Sequence, residues 1–369
     1  MRILALLLVL SLLLTGCSWL SGSYISVQPH TGSYTPSNQE IPSAATFLEL
    51  RTAICDMIDQ GQENGMILLG SYDPASVDTD IPAAADYARN TYPLGAYALK
   101  DITWDLGRSG NQQALRLTLS YRLSWSAISQ IQMVRRAADA RSLIQNAMKN
   151  CDSQLVFHVV NYSNIDFVQM AEDYARNNCD TVMEMPQITV SLYPDTGIRR
   201  LVEIQFTYQT SRDDLRSMQT TVSRIFRSAI LYLLPDEDPI TPFQQMHTFL
   251  MERSEYVYNT SITPAYSLLV HGVGNSRAFA TVYATMCRRA GLSCQVVTGT
   301  RNGEPWYWNL IYDGQQYYHV DLLSDSSFTP REDWLMTDYV WDYFAYPASV
   351  KPADVPPADT IPADTSPTA

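Results

Sequence analysis

Residues 278–322 read AFATVYATMCRRAGLSCQVVTGTRNGEPWYWNLIYDGQQYYHVDL. The first twelve residues place apolar side chains at spacings of three and four, which predicts a helix, and Gly291 follows as a helix stop. Three strand-like runs come next, at Gln295–Gly299, Trp306–Tyr312 and Gln316–Leu322. Asp313-Gly314, between the last two runs, predicts a tight hairpin turn. We therefore expect one helix packed on an antiparallel sheet within an α+β protein.

The order of motifs around this stretch resembles a transglutaminase-like domain, of the transglutaminase and cysteine-protease-like superfamily. The resemblance extends from Pro239 to Ser349, and we place the domain at residues 237–349. It rests on these segments: Phe243–Tyr256, Ala265–Leu269, Gly272-Val273, Ala290–Gly299, Trp306–Leu310, Tyr317–Asp321, Trp334–Met336 and Tyr339–Trp341. The resemblance implies a papain-like fold, in which a helix packs on an antiparallel sheet.

Active members of this family use a Cys-His-Asp triad, with the thiol at the start of the helix. Carried over residue by residue, the resemblance places the cysteine position on Ser276, or on Gly274 if the preceding Gly-Val pair anchors the alignment. It places the histidine position on Trp306 and the aspartate position on Asp321. Only the aspartate agrees with the family. This pattern predicts a degenerate domain without the family's chemistry, and it gives no confident catalytic residue.

Another histidine could replace the missing base. His271 precedes the helix, and His319 shares a strand face with Asp321 because residues two apart on a strand point the same way. An ordinary strand histidine is the simpler interpretation of His319. The alternative function is therefore a hydrolase or acyltransferase that uses Ser276 as nucleophile and Asp321 as orienting residue.

Aromatic side chains in the same region suggest ligand binding. Tyr266, Trp306, Tyr307 and Trp308 are candidates to line a groove, since aromatic rings give contact area at low entropic cost. A place in the core of the sheet is the competing interpretation of the same residues. The expected ligand is a peptide, a cell-wall peptide or a protein partner.

An internal similarity precedes this domain. Ala85–Asn90, ADYARN, recurs as Glu172–Asn177, EDYARN, and the flanking segments recur in the same order. The pattern predicts an α-β-α-β-β unit used twice in tandem, at residues 44–138 and 139–236. Amphipathic helices are expected after the two hairpins, at Ser126–Ala138 and Arg212–Leu233. We interpret the pair of units as a scaffold that binds or spaces.

The N-terminus has the features of an export signal. Apolar residues from Ile3 to Leu14 form a stretch too short to span a bilayer, and Leu14-Thr15-Gly16-Cys17 resembles a lipobox. We expect a signal peptide at residues 1–16, a palmitate-type lipid on Cys17, and a flexible tether at residues 17–43. The expected protein is an extracytoplasmic lipoprotein, anchored in the membrane at the cell surface.

Charge and cysteine spacing limit the partners. The chain carries 25 basic and 38 acidic residues, a formal charge of −13, and it lacks a basic cluster, so nucleic acid is not an expected partner. The cysteines beyond Cys17 lack the spacing of a zinc site, and we expect neither a metal nor a cofactor. They are Cys55, Cys151, Cys179, Cys287 and Cys294. A Cys151–Cys179 disulfide is a candidate, whereas Cys287 and Cys294 are interpreted as core residues.

The last twenty residues, 350–369, are mostly Pro, Ala, Asp and Thr. This composition is typical of a disordered tail.

Overall fold

The computed structural model describes residues 41–235, 238–324 and 327–330, and the backbone alone of residues 339–341. The chain divides into two units, Met1–Pro42 and Ser43–Ala369, and the following description concerns the second. Cys17, the predicted signal peptide and the predicted tail lie outside the described residues. Within the described ranges, no helix combines the length and the apolar character needed to cross a membrane.

The first α/β module occupies residues 43–121. Its elements are α1 (Phe47–Asp59), β1 (Asn64–Leu68), α2 (Val77–Asn90), α3 (Pro93–Ala98), β2 (Leu99–Ser109) and β3 (Gln112–Tyr121). The strands form an antiparallel sheet in the order β1-β3-β2. Helix α1 begins where the Thr46 hydroxyl accepts the Glu49 N–H. Its apolar face, with Leu50, Ile54 and Ile58, is buried in one core with the sheet.

The second α/β module occupies residues 132–210 and follows the short helix α4 (Trp125–Ile128). Its elements are β4 (Gln132–Val134), α5 (Ala137–Asn150), β5 (Gln154–Val159), α6 (Phe167–Asn177), β6 (Gln187–Tyr193) and β7 (Arg200–Thr207). The sheet has the order β4-β5-β7-β6, in which β4 is parallel to β5 and the other pairs are antiparallel.

The helix predicted at Ser126–Ala138 is wrong. The structure has the single turn α4 there, followed by strand β4. Strand β4 adds to the edge of the second sheet by pairing with β5, and its Val134 is buried in that module's core. This pairing with a strand twenty-five residues away overrides the local helical periodicity.

The C-terminal domain begins with the long helix α7 (Arg212–Tyr232). Its other helices are α8 (Thr241–Met251), α9 (Pro264–Tyr266), a π-helical turn (Ser267–His271) and α10 (Ser276–Arg289). Its strands are β8 (Glu255–Tyr256), β9 (Val273–Gly274), β10 (Ser293–Arg301), β11 (Glu304–Tyr312), β12 (Tyr317–Val320), β13 (Phe328–Pro330) and β14 (Tyr339–Trp341). Strands β10 to β14 form an antiparallel sheet in the order β13-β12-β11-β10-β14. The helix and the three strands expected between residues 278 and 322 are all present.

Helix α10 packs on one face of this sheet. The Asn309 side-chain amide, on β11, donates to the Ala280 carbonyl of α10 at 2.9 Å. The opposite face of the sheet buries a separate small cluster of Val297, Trp308, Leu310 and Tyr317. The side chains of successive residues of β11 therefore point to opposite faces of the sheet, as strand geometry requires.

The C-terminal domain shares its main core with the second α/β module. Cys151, Cys179 and Met183 from that module pack in one buried cluster with residues of α7, α8 and α10. Arg289, at the end of α10, forms an ion pair with Asp180 at 2.6 Å. The second module is thus packed directly beside the helix on which the family places its nucleophile, and the protein as a whole is α+β.

Candidate functional site

The N-terminus of α10 is built as a capped helix start. The Asn275 side chain accepts the Ala278 N–H at 3.1 Å, which fixes the first turn. Ser276 is the first helical residue and is 5% exposed. Its hydroxyl forms no hydrogen bond with another described residue. Gly274 lies in β9 instead, and a Cβ atom there would meet Ala278 Cβ at 3.0 Å. The structure therefore places Ser276, rather than Gly274, where a helix-start nucleophile would lie.

Asp321 is buried and receives several N–H donors. The Trp306 indole Nε1 donates to its Oδ2 at 2.9 Å, and Arg301 Nη1 lies 3.3 Å from the same oxygen. The backbone N–H of Leu323 donates to Oδ1 at 3.0 Å. The Arg301 guanidinium also lies over the Trp306 ring, 5.2 Å from its centre. The tryptophan at the family's histidine position thus donates to the aspartate that the sequence aligns with the triad.

His319 has a separate contact with Trp308. It is fully buried, and its Nδ1 accepts the Trp308 indole N–H at 3.0 Å. Its strand partner, Leu310, belongs to the cluster on the sheet face opposite α10. The Nδ1 atom of His319 is therefore engaged by Trp308 and is not available as a base for Ser276.

The remaining described histidines in this domain have other contacts. His271 is exposed, with its ring 5.4 Å from that of Tyr266. His247 contacts Ser327 Oγ at 3.1 Å, and burial lowers its pKa. In the described part of the chain, no hydrogen bond joins Ser276 to a histidine. The serine thus has no imidazole base in position.

The four aromatic residues of the expected groove do not meet at one surface. Trp308 is fully buried and therefore does not reach an open groove. Trp306 is partly exposed, and its ring packs against Tyr256 at 5.7 Å. Tyr307 points to the other side of the sheet, where the Arg277 guanidinium lies 5.7 Å from its ring centre. Tyr266 packs against His271. The interpretation as sheet core is correct for Trp308.

A cavity of about 570 Å³ lies between the second α/β module and the C-terminal domain. Helix α6 and the segment after it supply one wall, including Arg176 and Glu184. The first turns of α10 and strand β11 supply another, including Arg277, Ala278 and Tyr307. No sequence motif predicts this cavity, because it arises from the packing of two modules.

The five cysteines of the described ranges are buried free thiols, and the expected Cys151–Cys179 disulfide is wrong. Cys151 ends α5 in a left-handed conformation, whereas the Cys179 thiol turns toward Thr285 Oγ1 of α10, 3.3 Å away. Burial raises the pKa of Cys179 to about 12. Burial, with the neighbouring Cys294, also raises the pKa of Cys287 well above its usual value. No thiol here is poised as a thiolate nucleophile.

Within the described ranges, no three or more His, Cys, Asp or Glu side chains cluster as metal ligands would.

Comparison with solved structures shows weak similarity. A crystal structure of a TGase has 9% sequence identity and a TM-score of 0.26, with 53% of this chain and 59% of that chain covered. A candidate cysteine protease from Cytophaga hutchinsonii has 12% identity and a TM-score of 0.25, with 39% and 65% covered. A candidate protease from Parabacteroides distasonis has 10% identity and a TM-score of 0.23, with 63% and 40% covered. This chain thus spans less than two thirds of the length of each.

No curated protein matches the sequence of this chain. Residues 232–322 match the transglutaminase-like superfamily. The matched segment includes α8, α10 and strands β10 to β12, together with Ser276, Trp306 and Asp321. Residues 232–322 are therefore a transglutaminase-like domain.

Proposed function

We propose that this protein keeps a transglutaminase-like domain without its catalytic chemistry and uses it for binding at the cell envelope. The observation that carries the proposal is the hydrogen bond from Trp306 Nε1 to Asp321. An indole nitrogen only donates and cannot take up a proton at neutral pH. The residue at the base position therefore supports the aspartate structurally but cannot activate a nucleophile.

The serine at the nucleophile position supports the same conclusion. A serine hydroxyl is a weak nucleophile unless an adjacent base removes its proton. Ser276 has no such partner among the described residues, and His319 Nδ1 already accepts the Trp308 indole N–H. The alternative, a hydrolase or acyltransferase that uses Ser276 and Asp321, therefore has less support than a binding function.

The position of the protein in the cell is a further part of the proposal. The lipobox-like sequence ending at Cys17 supports export and attachment of a lipid to that residue. The test is labelling of cells with an alkyne analogue of palmitate. We expect the label on the full chain and its loss in Cys17→Ala; equal labelling of both chains would contradict a lipid on Cys17.

The two α/β modules are proposed to be copies of one duplicated unit that forms a scaffold. Both contain the order helix, strand, helix, strand, strand, and the matching strands are ordered β1-β3-β2 and β5-β7-β6. Their helices α2 and α6 carry the related segments ADYARN and EDYARN. These similarities support one ancestral unit.

The proposal of a non-catalytic domain is tested with the full chain and its Ser276→Ala variant. Both are incubated with glutamine-containing peptides and a fluorescent primary amine, and mass spectrometry follows amine incorporation and peptide hydrolysis. We expect no turnover by either protein above the protein-free rate. Turnover by the wild type that Ser276→Ala abolishes would establish the alternative function instead.

A further inference from the structure

The cavity between the second α/β module and the transglutaminase-like domain carries an inference about the ligand. Its volume of about 570 Å³ lies within the usual range of small-molecule sites. It is built from two separate modules, and it reaches the first turn of α10 through Arg277 and Ala278. We propose that this cavity binds a short peptide through the peptide's free carboxylate, which refines the binding function proposed above and rests on it.

The start of α10 supplies the first element of a carboxylate site. The first N–H groups of an α-helix lack partners within the helix, and the macrodipole places partial positive charge there. The N–H groups of Ala278 and Phe279 are taken up by Asn275. Those of Ser276 and Arg277 have no acceptor within the helix. No acidic residue lies in this first turn.

The Ser276 hydroxyl lies at the same helix start. The residue is 5% exposed, and its hydroxyl has no hydrogen-bond partner among the described residues. The hydroxyl oxygen is not one of the fully enclosed unpaired polar atoms of the described residues, so a ligand can reach it. Ser276 lies between the capping Asn275 and the cavity-lining Arg277. A ligand oxygen at the helix start would supply the partner that the hydroxyl lacks.

Two arginines favour a ligand with negative charge. Arg277 lies in the first turn of α10, where the helix dipole disfavours a cation, and it forms no ion pair with a described carboxylate. Its guanidinium lies over Tyr307. Arg176 enters from α6, and its nearest acid, Asp173, is exposed and 3.8 Å away. A carboxylate between these arginines would receive charge-assisted hydrogen bonds.

The acidic residues around the cavity do not cancel this preference. Glu184 is buried, and its two oxygens accept the backbone N–H groups of Gln209 and Thr210 at 2.6 and 3.0 Å. Glu172 is exposed, one turn before Arg176 on α6. Among the described residues it forms no ion pair with Arg277. The remaining lining mixes apolar and hydroxyl side chains, including Met183, Ile262 and Thr281, which suits a peptide.

The test uses the full chain and matched peptides that differ only in their terminal charge. The probes are N-acetyl-Ala-Ala, N-acetyl-Ala-Leu and N-acetyl-Ala-Phe, each as the free acid and as the C-terminal amide, titrated by ligand-observed NMR. We expect at least one acid to bind at least about tenfold more tightly than its amide, which corresponds to about 1.4 kcal/mol. Equal binding of acid and amide, or no binding of any acid up to about 10 mM, would overturn the inference.

Two cavity variants and one control variant test whether the ligand binds in the cavity. Arg277→Gln should weaken binding of the acid at least about tenfold and leave the amide unchanged, because it removes a charge-assisted contact. The matched control is Arg224→Gln, an exposed residue of α7 outside the cavity lining, which should change neither. Ala175→Phe, which fills the cavity from α6, should weaken acid and amide alike. Undiminished acid binding by both cavity variants would place the ligand elsewhere and refute the assignment.

The same NMR samples separate this inference from the proposed function. Hydrolysis of a probe by the wild type, seen as release of its last residue, would contradict a non-catalytic domain. Intact probes that bind without preference for the acid would refute only the carboxylate site.

Discussion

Replacing Trp306 by phenylalanine tests whether its indole N–H supports Asp321. An aromatic ring is kept opposite Tyr256, whereas the hydrogen bond to Asp321 Oδ2 at 2.9 Å and part of the indole's packing are removed. A hydrogen bond to a charged group contributes about 1.5–3 kcal/mol to stability, and Asp321 is buried. Arg301 and the Leu323 N–H still contact the carboxylate. We therefore expect Trp306→Phe to lower the free energy of unfolding by about 1.5–3 kcal/mol.

A double-mutant cycle separates the hydrogen bond from lost packing. In an Asp321→Ala background the acceptor is absent, so Trp306→Phe should lower the free energy of unfolding by less than about 1 kcal/mol. The measurement is equilibrium urea unfolding followed by far-UV circular dichroism, which is insensitive to the loss of one tryptophan. An equal effect of Trp306→Phe in both backgrounds would refute the reasoning.

Two further predictions concern buried polar groups outside this contact. In a Cys17→Ala chain, the five other thiols should resist a disulfide reagent at pH 8 until the protein is unfolded. They are buried, and burial raises the pKa of Cys55 and Cys179 to about 12. Rapid labelling of these thiols in the native protein would contradict this prediction. Glu184→Gln should lower the free energy of unfolding in urea by about 1–3 kcal/mol, since it weakens two hydrogen bonds from backbone N–H groups. Glu172→Gln, at an exposed residue of the same cavity lining, should change that free energy by no more than about 0.5 kcal/mol. Equal effects of the two substitutions would show that the buried contacts of Glu184 do not contribute to stability.

The sequence was most informative where local patterns and the final fold agree. Helix α10 follows apolar spacings of three and four, and the β11–β12 hairpin turns at Asp313-Gly314, where Gly314 has a positive φ of 101°. Strand β4 was not predicted, because its pairing with β5 depends on tertiary structure. The period of two along β11 bears directly on the expected aromatic groove. Trp306 and Trp308 had to face away from Tyr307, so the three could not line one groove.

The sequence offers candidate positions for the site but not the contacts between them. Motif order alone aligned Ser276, Trp306 and Asp321 with the family's triad positions, and that alignment stays a prediction. That Trp306 donates to Asp321 depends on the register between β11 and β12 and on the rotamer of the indole. The cavity beside α10 depends on the docking of the second α/β module, which no local pattern reports.

The central claim is that the family's framework persists and that only its reactive groups have been replaced. The most direct test compares Ser276→Cys with the double variant Ser276→Cys/Trp306→His, by the pH dependence of alkylation with iodoacetamide above the wild-type background. A free cysteine titrates near pKa 8.5, and a neighbouring imidazolium lowers that pKa. If the imidazole at position 306 is oriented by Asp321 toward the helix start, the pKa of the introduced thiol should be lower in the double variant by at least about one unit. The same thiol pKa in both variants would show that the triad framework is not preserved.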